Sequence, residues 1–65
     1  MIGLTKLNKQ AFVVNADLIK FIESTPDTLV TLSTGERILV QESTEEVIRR
    51  VVQYGRMLRR LVEPS

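Results

Sequence analysis

Apolar residues come in short blocks over the first 41 positions, separated by clusters of Asn, Asp, Ser, Thr, Gly and Pro. Beyond residue 43 they recur at helical spacing instead. The change of period predicts strands first and one long helix last. Residues 2–7 read as a strand with Ile2 and Leu4 on one face and Thr5 and Leu7 on the other. Asn8-Lys9-Gln10 supplies a polar turn, and the β-branched and aromatic Phe12-Val13-Val14 makes the second arm of a hairpin. Asn15-Ala16-Asp17 breaks the run, since Asn and Asp bond nearby backbone. Residues 18–23 form a third strand, with Ile19 and Phe21 sharing a face; a one-turn helix over 16–20 is the lesser alternative.

Thr25-Pro26-Asp27 is a turn, and residues 28–33 are a fourth strand. Ser33-Thr34-Gly35 fits a three-residue hairpin loop with Gly35 in the left-handed conformation, and residues 37–41 are the fifth strand. Val30, Leu32, Ile38 and Val40 make one apolar layer, but Leu29 and Leu39 alternate out of phase with it. A sheet with a single wet face shows cleaner alternation. The sheet is therefore expected to curl strongly or to meet another copy.

Ser43-Thr44-Glu45-Glu46 has the form of a capping box, with Ser43 as N-cap and Glu46 reaching back. Glu45 with Arg49, and Glu46 with Arg50, stand four apart in the favoured order. The helix is expected over about 44–62, with 63–65 as a frayed tail. The resulting fold class is α+β: a small twisted, mostly antiparallel sheet of four to five strands, then one capped C-terminal helix. Along that helix Val47, Val51, Tyr54, Leu58 and Leu61 fall on one line, flanked by Ile48, Val52, Gly55 and Val62. The apolar arc spans roughly 200°, wider than the ~100° that one contact needs. One sector can cover the sheet, and the other calls for a partner, most simply the same helix of a second copy. Val47, Val51, Tyr54, Leu58, Leu61 and Val62 are the expected oligomer interface.

Composition strengthens that expectation. Sixty-five residues make one domain at most, with no cysteine for a disulfide and neither histidine nor cysteine for a structural metal. Self-association is the remaining staple for so small a core. Missing histidine and cysteine also remove the commonest general base and thiol catalysis. The serines sit at turns and caps with no activating base, and the three glycines form no phosphate loop. Catalysis, cofactors and metals are not expected.

A net charge of +1 gives no global reason to bind nucleic acid, but five arginines crowd positions 49–60. Arg49, Arg56 and Arg60 share the polar face with Gln53, which reads first as a solvated surface and second as a docking face for an acidic protein. RNA recognition is disfavoured, because only Phe12, Phe21 and Tyr54 are aromatic. No apolar run reaches the ~18 residues of a membrane span, and the first ten residues lack a signal-peptide core. A cytoplasmic location is expected.

The blocks LTKLN at 4–8, ESTPDT at 23–28, TLSTGE at 31–36 and VQES at 40–43 resemble, in order and spacing, the FlbD/SwrD family of short bacterial motility proteins. The resemblance covers about residues 1–52. It departs at Lys9, where the family commonly has the glycine of an Asn-Gly turn, so a looser first turn is expected. It brings no catalytic or ligand residues. It implies a cytoplasmic accessory factor that supports flagellar torque and swarming through protein contacts, with a motor or stator protein as partner. An alternative of another class is the carbon storage regulator type of RNA-binding dimer, which the chain resembles in length, in its MIGLTKL opening and in its single late helix.

Overall fold

The computed structural model describes residues 1–62, without the side chain of Val62; the expected frayed tail at 63–65 lies outside the described residues. Strands β1 (Ile2–Thr5) and β2 (Ala11–Val14) form one antiparallel hairpin. Strands β3 (Ile19–Ser24), β4 (Thr28–Leu32) and β5 (Arg37–Val40) form an antiparallel meander. Helix α1 (Thr44–Val62) follows. The chain is thus a small α+β fold. The two sheets are linked where Lys6 pairs antiparallel with Val40 and the Gln41 N–H donates to the Thr5 carbonyl at 2.8 Å. The five strands enclose one apolar interior with Val30, Leu32, Ile38 and Val40, whereas Leu29 and Leu39 stay outside it and Leu39 is exposed.

Both hairpin loops are built alike. The Gly35 N–H donates to the Leu32 carbonyl and the Leu32 N–H to the Glu36 carbonyl, at 2.9 and 2.8 Å. In the first hairpin, the Lys9 N–H donates to the Lys6 carbonyl and the Lys6 N–H to the Gln10 carbonyl, both at 2.9 Å. The left-handed position is Gly35 (φ 98°) in one loop and Lys9 (φ 73°) in the other. The first turn is therefore not looser for lacking glycine. Lysine adopts the glycine conformation, and the Asn8 side chain supports the loop by accepting from the Gln10 N–H at 3.0 Å. The first strand ends at Thr5, so Leu7 sits in the loop and is exposed.

Before β3, Ala16–Leu18 make one 3-10 turn, capped by the Asn15 side chain, which accepts from the Asp17 N–H at 3.0 Å. The third strand accordingly starts at Ile19. A shift in register between Ile19 and Phe21 breaks its alternation. Ile19 and Ile22, three apart, both pack on the core, while Phe21 points outward under the Lys20 ammonium. Ile19 and Phe21 do not share a face, because one extra residue in a bulge reverses the phase of the strand beyond it.

The core is Ile2, Leu4, Val14, Ala16, Val30, Leu32, Val40 and Val47, with Phe12, Ile38, Val51 and Tyr54 packed against it. Helix α1 lies on β1 and β3, and its residues in or against the core are Val47, Val51 and Tyr54. Nineteen residues extend about 28 Å, more than the 19–21 Å width of the body, and the molecule measures 42 × 21 × 19 Å. Past Tyr54 the helix runs beyond the core, with Met57, Leu58 and Leu61 exposed.

Candidate functional site

The helix surface gathers the chain's chemistry, and a polar clasp fixes the helix to the sheet. The Ser43 hydroxyl accepts from the Glu46 N–H at 3.1 Å, and the first helical bond runs from the Val47 N–H to the Ser43 carbonyl. The reciprocal half of the capping box is not made. The Glu46 carboxylate turns along the helix instead, where it accepts from Arg49 Nε at 2.9 Å and Arg50 Nε at 2.7 Å, with a further short ion pair to Arg49. Two charge-assisted bonds outweigh one neutral N–H. They hold the Glu46 carboxyl down at about 2. Arg49 thus pairs one helical step nearer than the Glu45 expected for it.

Glu42, just ahead of the helix, reaches back to β1. Its two oxygens accept from the Thr5 N–H at 2.9 Å and the Thr5 hydroxyl at 2.8 Å. Arg50 closes the clasp, donating to the Gly3 carbonyl at 2.7 Å and to Glu42 at 3.3 Å. Partial burial pushes the Glu42 carboxyl up, but the Thr5 hydrogen bonds and the Arg50 charge outweigh it and hold the group below its usual range. Every charged group in the cluster already has a partner, so the cluster is structural. Among the described residues no group of acidic side chains could hold a metal ion.

The proposed interface residues separate along the helix. Val47 is 0 % exposed and belongs to the core of its own copy, so it offers nothing to a second one. Val51 and Tyr54 are half-buried against the same core. Leu58 and Leu61 continue their line past the edge of the sheet and are 38 % and 78 % exposed. The Val62 side chain lies outside the described residues. Ile48 and Val52, which the sequence placed only on the flank, are 50 % and 44 % exposed. Their angular offset from Val47, roughly 100–140°, was the signal that a second face exists.

The arginines also divide. Arg49 is occupied by Glu46 and by Gln53, whose side-chain oxygen accepts from it at 2.9 Å. Arg56 and Arg60 carry no ion pair among the described residues, and with Gln53 and Met57 they line a shallow groove of about 380 Å³. No helix among the described residues is long and apolar enough to cross a membrane. A family model described as FlbD, flagellar and swarming motility proteins, matches residues 1–58, ending within α1. No curated protein and no solved structure matches the chain.

Proposed function

The chain belongs to the FlbD family of flagellar and swarming motility proteins, and on that premise we propose that it is a non-enzymatic cytoplasmic accessory of flagellar motility. It supports motor torque by protein contact, as a small homo-oligomer. The family match over residues 1–58 carries this reading. Its physical support is the apolar surface that the helix leaves exposed among the described residues, at Ile48, Val52, Leu58 and Leu61. The arginines of the polar face meet an acidic segment of a motor or stator protein. Arg56 and Arg60 lead that contact, because Arg49 is engaged within its own helix.

The test is genetic and mechanical. Deleting the gene lowers motor torque and abolishes swarming, and the wild-type gene restores both. Unchanged torque after deletion defeats the functional reading. Arg56→Glu together with Arg60→Glu leaves the fold and self-association intact but fails to restore swarming. Full restoration by that variant removes the arginines from the partner contact.

A further inference from the structure

Resting on the reading of the chain as a homo-oligomer, we infer that α1 pairs antiparallel with the α1 of a second copy through Ile48, Val52 and Gly55, closed at each end by Glu45 and Arg59. These five positions succeed one another at spacings of three and four along the exposed flank of the helix. Such spacing is the line that two helices share when they pack side by side. The face lies apart from the Val47 line, so it is open while the helix remains seated on its own sheet.

The line is complementary to itself when reversed. A two-fold axis at Val52 sets Val52 against its copy and Glu45 against Arg59, and brings Ile48 to within one residue's rise, about 1.5 Å, of Gly55, each of the last two twice. The branched side chain therefore meets the position that has none. Apart from the adjoining turns of its own helix backbone, no described atom lies within 4 Å of where a Cβ at Gly55 would sit, so the space there is free to be filled from outside. The acid meets the base across the pair, and neither Glu45 nor Arg59 carries an ion pair among the described residues. A parallel pairing would instead oppose Glu45 to Glu45 and Arg59 to Arg59. The contact spans about 21 Å of helix, which places the dimer at the weak end of specific interfaces.

Charge reversal tests both the face and its polarity. Glu45→Arg and Arg59→Glu, each alone, put like charges at both ends and raise the dimer dissociation constant about tenfold or more, read by sedimentation equilibrium. In a mixture of the two variants, the introduced arginine of one chain meets the introduced glutamate of the other at one end. The native Glu45 and Arg59 meet at the opposite end, so the mixture forms a heterodimer as tight as wild type. Val52→Glu, at the two-fold contact and exposed in the single copy, leaves the circular dichroism unchanged and yields a monomer. A wild-type dimer that tolerates all three substitutions, and that Leu61→Glu dissociates instead, overturns this pairing but keeps self-association. A wild-type chain that is monomeric at high micromolar concentration removes the homo-oligomer itself.

Discussion

Thr5 and Glu42 are 37 positions apart and bonded twice, the Thr5 N–H and hydroxyl each donating to a different oxygen of the Glu42 carboxylate at 2.9 and 2.8 Å. The Glu42 side chain is only 11 % exposed, so water is a poor substitute. Glu42→Ala strands the Thr5 donors and the Arg50 guanidinium and costs about 2 kcal/mol, whereas Thr5→Val removes one hydroxyl and costs about 1 kcal/mol. Urea denaturation measures both. Glu45→Ala, on the solvent side of the same helix turn, changes the midpoint little when the chain is dilute enough to be monomeric.

Acid should loosen the same clasp. Glu46 is held at about 2 in the folded chain by Arg49 and Arg50, against an ordinary 4.5; Glu42 is also lowered, by Thr5 and Arg50 against the opposing effect of burial. A carboxyl group with a lowered folded value adds stability that is fully present above its unfolded value and is lost as pH falls through the folded one. The urea midpoint therefore drops between pH 4.5 and about 2. Glu46→Gln starts lower at neutral pH and shows a flatter decline over that window.

The two hairpin loops offer a matched comparison. Lys9 holds φ 73° where the other loop has Gly35 at φ 98°. The left-handed conformation costs a residue with a Cβ about 1–2 kcal/mol, and glycine gives back roughly half of that through its freer unfolded chain. Lys9→Gly therefore stabilises the protein by about 0.5–1 kcal/mol. Gly35→Lys destabilises it by a similar amount. Thermal melts of the two variants, moving in opposite directions, check this.

Local features of the fold were legible in the chain, and those set by distant partners were not. The Gly35 loop and the Ser43 cap could be read, because each depends on neighbours in sequence and on residue types with few other uses. The bulge at Lys20 could not, since a one-residue slip in pairing is decided by where the partner strand ends. Nor could the clasp: Glu42 finds Thr5, and Arg50 finds Gly3, only after the sheet has curled. Lys9 misled for a related reason. Composition says that glycine is preferred at a left-handed position, but it does not say that lysine is excluded. The helix line was visible in full, yet the point where the sheet stops beneath it is a property of the fold and left no mark on the spacing.

The edge of the sheet beneath the helix can be located by mutation, because Val47 and Leu61 lie on the same helical line and any periodicity treats them alike. Val47 is wholly enclosed between the sheet and its own helix, so Val47→Ala removes two methyl groups from a packed site and leaves a cavity. It costs about 2 kcal/mol. Leu61 is 78 % exposed on the overhang, and Leu61→Ala changes stability by less than about 0.5 kcal/mol. The comparison should be made by urea denaturation at a concentration low enough to keep the chain monomeric, so that any contact with a second copy does not enter. Equal losses at the two positions would mean that the overhang is covered even in the single chain. A large loss at Val47 alone locates the edge of the core between them and leaves the end of the helix for a partner.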